Sequence, residues 1–179
     1  MKHLTNWLDK NANNEHYLFP FRGLRALYPN LSDNAFKALI NRAVNAGPLT
    51  RVCRGLFLYK RAMPPSGLIL FHVAAYMRAS ELNYISLETV LSDSGVISQI
   101  PINWVSIMSS GRSNIITCGD YGTIEFVHTS QKPTTIMNQL SYDTNCRLWR
   151  ASVPLAIRDM RATHRNCDLI DWNAANEFI

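Results

Sequence analysis

The chain has 179 residues, 47% apolar and 17% charged, a composition that supports a packed core and excludes an intrinsically disordered chain. No stretch supplies the roughly 20 apolar residues that a membrane-spanning helix needs: Ala62–Met77 is broken by Pro64, Pro65 and His72, and Ser94–Gly111 by Gln99, Pro101 and Asn103. The net charge of +5 is uneven, because residues 1–62 carry ten Lys/Arg against three Asp/Glu, a net of +7, while residues 63–179 carry eight against ten, a net of −2.

A basic module followed by a weakly acidic one is the charge pattern of a phosphate-binding head, since neutralising phosphates releases condensed counterions and supplies affinity independent of base sequence. Met1-Lys2-His3 leads into a short amphipathic segment with no long apolar run and no small-residue cleavage site, so a cytoplasmic protein with no membrane partner is expected. Cys53, Cys118, Cys146 and Cys167 are scattered and form no Cys-x-x-Cys pair. They are expected as reduced, buried thiols.

In chain order, Leu4–Ala12 can form a short helix, and Pro20 can open a second through Phe21, Leu24 and Leu27, stopped near Pro29. Ser32 is a natural N-cap with Asp33 in the first turn, and Phe36, Leu39, Ile40, Ala43 and Val44 then recur at helical spacing until Gly47-Pro48. The outer face of that helix is Asn34, Lys37, Asn41, Arg42 and Asn45. Leu49–Val52 and Leu56–Tyr59 flank Cys53-Arg54-Gly55 and predict a hairpin with a basic tip. Met63-Pro64-Pro65-Ser66-Gly67 is the natural linker.

Beyond it, Gly67–Ser80 predicts a mostly buried helix, and Ser86 caps a short one through Leu91 that Gly95 terminates. Ile102–Ser109, Asn114–Cys118 and Thr123–Thr129 predict three strands of an antiparallel meander, and Ser152-Val153-Pro154 opens a last helix through Ile157, Met160 and Arg161. The expected fold class is α+β: a winged helix-turn-helix over residues 1–62 and, over 66–179, a mixed helix-and-strand domain with a small antiparallel sheet.

The order helix, helix, capped helix with a polar and basic outer face, then a hairpin with an arginine at its tip is that of a winged helix-turn-helix. In such a unit the third helix enters the major groove. Asn41 and Asn45 there offer bidentate amide contacts to adenine, and Arg42 and Lys37 reach guanine edges or phosphates. The hairpin lays Arg51 and Arg54 along the backbone or into the minor groove. The expected DNA-binding residues are therefore Asn34, Lys37, Asn41, Arg42, Asn45, Arg51 and Arg54, on double-stranded DNA.

Leu31-Ser32-Asp33-Asn34-Ala35-Phe36, Leu39-Ile40, Ala46-Gly47 and Leu49-Thr50-Arg51-Val52-Cys53-Arg54-Gly55-Leu56-Phe57 resemble the N-terminal winged-helix domain of AbiEi-type antitoxins. Tyr84-Ile85-Ser86-Leu87-Glu88-Thr89-Val90-Leu91, with Gly95 and Ile97, resembles the segment that follows it. Ser109-Ser110-Gly111-Arg112 and Pro154-Leu155-Ala156-Ile157-Arg158-Asp159 are similar, less specifically, to the later strand and closing helix. The resemblance implies the antitoxin of a type IV toxin–antitoxin system. Its winged domain would repress its own operon through inverted repeats in the promoter, and its C-terminal domain would counteract a nucleotidyltransferase-like toxin, commonly without a stable complex. Family members usually carry a longer C-terminal domain.

Two other classes are alternatives: a metal-dependent nuclease with a winged-helix targeting domain, and a protein-interaction module whose basic head binds an acidic partner. Asp120 ahead of Glu125-Phe126-Val127-His128 is a distant echo of a nuclease acid pair, without the lysine such a site uses. Glu125 is expected on the solvent side of a strand, and His128 as a partly buried aromatic. His164 and Cys167 with Cys146 or Cys118 lack the paired spacing of a zinc site. His72 is expected as a hydrogen-bonded core histidine, and Trp7, Trp104, Trp149 and Trp172 as core or interface residues. No phosphate loop or nucleophile elbow is present in the sequence. No catalytic residue, metal or cofactor is expected, and the protein is not expected to be an enzyme.

Overall fold

A computed structural model describes residues 1–64, 67–98 and 102–178, and the chain divides into two units, Met1–Ser66 and Gly67–Ile179. Pro65 and Ser66 of the expected linker lie outside the described residues.

The N-terminal unit runs α1 (Lys2–Asn11), β1 (Leu18–Pro20), α2 (Phe21–Ala26), α3 (Asp33–Asn45), β2 (Leu49–Cys53) and β3 (Leu56–Tyr59). Ser32 caps α3: its Oγ accepts from the Ala35 amide at 3.3 Å, so one otherwise unpaired donor of the first turn is satisfied. Phe36, Leu39, Ile40 and Ala43 form the buried face of α3. Its run ends before Gly47, whose φ of +91° suits a residue without a Cβ. The strands pair in the order β1-β3-β2, all antiparallel. With a neighbour on each side, β3 is buried at all four positions. The Tyr59 hydroxyl donates to the Asp9 carboxylate, which Tyr59 first and Arg61 next hold below the usual carboxylate range.

The Gly67–Ile179 unit contains α4 (Ile69–Met77), β4 (Asn83–Ile85), α5 (Leu87–Asp93), β5 (Trp104–Ser109), β6 (Asn114–Thr117), β7 (Thr123–His128), α6 (Pro133–Ile136), β8 (Leu140–Asp143), β9 (Leu148–Ala151), α7 (Val153–Ala162) and α8 (Trp172–Ala175). The expected small antiparallel sheet is replaced by a six-stranded mixed one in the order β6-β7-β5-β4-β9-β8, in which β5–β7 and β4–β9 are parallel. Burial explains the order. Five consecutive residues of β5, Val105 to Ser109, are buried, and such a strand needs partners on both edges and cover on both faces. In β7 Ile124 and Phe126 are buried, whereas β6 exposes Asn114, Ile115 and Thr117. The more apolar β7 therefore takes the inner place beside β5, and β6 becomes an edge.

Three further expectations are corrected. Ser86 precedes α5 but does not cap it; its hydroxyl donates instead to Asp159 Oδ2 at 2.7 Å. Of the core-or-interface expectation for the tryptophans, the core part fails: Trp104 and Trp172 are exposed, and Trp7 and Trp149 are half-buried. Cys53, Cys118 and Cys146 are buried, but Cys167 is only partly so, and none is in a disulfide. As expected, His72 is buried and hydrogen-bonded, with Nε2 2.6 Å from the Asn145 carbonyl oxygen. Burial lowers its pKa. Ser152 caps α7 by accepting from the Leu155 amide. No helix among the described residues is long and apolar enough to cross a membrane.

Asp159, on α7, is fully buried and accepts from Ser86 at Oδ2 and from Gln131 Nε2 at Oδ1, the latter at 2.7 Å. Burial nonetheless raises its pKa above the ordinary 3.8 and, with Asp159 beside it, pushes the Tyr84 hydroxyl up as well. The folded state thus holds this proton more tightly than the unfolded chain does. Stability contributed by the protonated form is lost as pH rises from 3.8 through the folded value. Asp159→Asn, neutral throughout, lacks that loss. In urea denaturation across a pH series, the wild-type stability measured relative to this variant should fall as pH rises through the window. A difference independent of pH would contradict the assignment.

Candidate nucleic-acid interface

Three aromatic rings from three elements set the site. Phe21, the first residue of α2, lies 5.0 Å from Phe36 of α3 in an edge-to-face contact and 6.4 Å from Phe57 of β3. Such pairs add about 0.5–1.5 kcal/mol each to the apolar burial. The Phe21 amide also donates to the Gly55 carbonyl at 2.8 Å, so the start of α2 is tied to the hairpin turn. Gly55 has φ +77°, a conformation that a side chain would strain.

The loop between α2 and α3 is held by Arg25. Its Nε donates to Asp33 at 3.3 Å, Nη2 donates to the Leu31 carbonyl at 2.7 Å, and Nη1 donates to the Tyr28 carbonyl. The guanidinium also stands 5.5 Å from the centre of the Phe36 ring.

These ties leave a groove of about 760 Å³ bounded by α2, α3 and the hairpin. Its apolar lining comes from Pro20, Phe21, Ile40 and Phe57, and its basic lining from Arg22, Lys37, Arg51 and Arg54, with Asn41 among them. Of the expected residues, Lys37, Asn41, Arg51 and Arg54 are brought together here. Asn34, Arg42 and Asn45 are exposed on α3 but do not line the groove. Arg42 turns its Nε back to the Ala38 carbonyl at 3.3 Å.

Arg22 is the cation that sequence reasoning missed. It follows the three-residue strand β1, whose pairing Pro20↔Leu56 with β3 carries the chain to the hairpin turn. The one sequence feature pointing there is Pro20, which stops a strand and starts a helix.

The charge is uncompensated. Asp33 serves Arg25 and Asp9 serves Tyr59 and Arg61, while Glu15 borders a different hollow with Asp9 and Arg61. Among the described residues, none of the four groove cations is in an ion pair. Four like charges line one groove, so an anion is attracted into it.

The residues weighed for metal chemistry sit otherwise. Glu125 accepts from Arg165 Nη2 at 2.5 Å, and from Ser106 Oγ and Trp104 Nε1, both at 3.3 Å. Its side chain is only 15% exposed, so it faces Arg165 rather than open solvent. Asp120 is exposed in the turn before β7, and His128, expected partly buried, is exposed. Among the described residues no group of three or more His, Cys, Asp or Glu is placed to hold a metal ion.

Compared with known protein families and with curated proteins, the chain matches none. The likeness to AbiEi-type antitoxins thus rests on the residues and motifs quoted above.

Proposed function

We propose that Met1–Ser66 is a winged helix-turn-helix that binds double-stranded DNA, with α2 and α3 as the helix-turn-helix and the β2–β3 hairpin as the wing. The observation that carries this reading is the gathering of Arg22, Lys37, Arg51 and Arg54 around Asn41 with no acidic side chain among them. A phosphate backbone supplies the missing negative charge. Asn41, Asn45 and Arg42 on the exposed face of α3 then carry base readout, and the wing arginines carry position.

The resemblance to AbiEi-type antitoxins extends the proposal. The N-terminal unit represses a toxin–antitoxin promoter by binding its inverted repeats, and the C-terminal unit counteracts a nucleotidyltransferase-like toxin. The two activities have separate carriers in this account.

DNA from upstream of the protein's own gene, compared with random duplex, tests the first part. Asn41→Ala should lower the preference for the upstream DNA by about 1–3 kcal/mol, the worth of a bidentate base contact, while changing affinity for random duplex little. Arg54→Ala should weaken both nearly equally. An unmodified chain that binds neither DNA at low salt would overturn the reading.

Co-expression with a neighbouring toxin gene tests the second part. A chain carrying both substitutions should lose promoter repression yet still rescue growth when the toxin is supplied from an unregulated promoter. Loss of rescue would place neutralisation in the DNA-binding unit.

A further inference from the structure

The groove has a feature that DNA binding does not require. Its floor is apolar, formed by Phe21, Ile40 and Phe57, beneath the arginine rim. Phosphodiester contacts need donors and cations; they gain nothing from a concave aromatic and aliphatic floor. A volume of about 760 Å³ lies within the roughly 300–1,000 Å³ of sites that hold small molecules, which are likewise mainly apolar with a few convergent polar groups. The floor is also fixed, since Phe21 is held by the Phe36 and Phe57 rings and by its amide bond to Gly55.

We propose that this groove binds a small amphipathic anion, an aromatic or comparably flat apolar body bearing one carboxylate or sulfonate, and that the bound anion excludes DNA. The ring lies against Phe21 and Phe57, and the anionic group takes the guanidinium groups of Arg22 and Arg51. Planar two-donor geometry suits an arginine to such a group. Because Arg22 and Arg51 also belong to the cation cluster that serves the duplex in the DNA-binding reading, on which the exclusion rests, anion and DNA compete for these two arginines. Anion at about ten times its dissociation constant then weakens DNA binding roughly tenfold.

The test uses the full chain and 8-anilinonaphthalene-1-sulfonate, a fluorescent aromatic sulfonate. The dye should bind at one saturable site. Arg22→Ala and Arg51→Ala, both exposed positions, should each weaken it about fivefold, the worth of one exposed charge contact of about 1 kcal/mol. Arg42→Ala, outside the groove, should leave dye binding unchanged while weakening duplex binding. A short mixed-sequence duplex at low salt should displace the dye. The proposal is overturned if the chain binds duplex while the dye does not bind, binds without dependence on Arg22 and Arg51, or remains bound when the duplex is added. Groove-dependent dye binding by a chain that binds no duplex would uphold the anion site and defeat the DNA reading instead.

Discussion

The N-terminal unit depends on one packing constraint, the convergence of Phe21, Phe36 and Phe57 from α2, α3 and β3. Two of the rings come from elements too short to be stable alone: α2 has six residues, well below the roughly 12–15 at which an isolated helix begins to hold in water, and β3 is a four-residue strand, which needs neighbours to persist. Packed together, the rings fix how α3 lies against the hairpin. Everything polar in the groove inherits its place from that packing. Asn41 and Lys37 project from α3 beside the buried Ile40, and Arg51 and Arg54 are carried by the strand and turn that Phe57 anchors. A change at the rings would therefore be felt as altered spacing among cations.

The same unit spends its few acidic side chains on architecture. Asp33 joins Arg25 in holding the α2–α3 loop, and Asp9 holds Tyr59 at the end of β3. Surface ion pairs of this kind are worth little energetically, at most about 1 kcal/mol each. Their larger effect is on the charge that remains: with Asp9 and Asp33 committed elsewhere, the groove keeps a positive field that attracts anions. The C-terminal unit is organised otherwise. Its internal polar ties, Arg165 to Glu88 and Glu125, and Ser86 and Gln131 to Asp159, hold several of its charged groups within its own structure. Breaking one partner of such half-buried groups costs more than an exposed pair contributes.

What could be read from the sequence was what is local. Ser32, the apolar spacing from Phe36 to Ala43 and Gly47 define α3 within 16 residues, and Arg54-Gly55 between two apolar runs marks the hairpin, because caps and turns act over a few residues. The strand order of the C-terminal sheet was not readable. Nothing near Gly111 says that β7 will insert between β5 and β6, since adjacency there is decided by which strand has more apolar surface to bury. The short strands β1, β4, β8 and β9 have three or four residues each, too few to show a period. Ser86 looked like a cap because a serine before a helix usually is one; a buried aspartate distant in sequence claimed its hydroxyl. Arg22 was hidden for the same reason. Its place in the groove depends on β1 pairing with β3.

The proposed DNA binding requires that a partner's negative charge enter the groove between α3 and the hairpin. The most direct measurement is an amide nitrogen–proton correlation spectrum of the full chain, recorded as duplex DNA is added at low salt. The resonances that move most should belong to Arg22, Lys37, Asn41, Arg51, Arg54 and their immediate neighbours. Shifts confined to Gly67–Ile179, or a spectrum unchanged at saturating DNA, would contradict it.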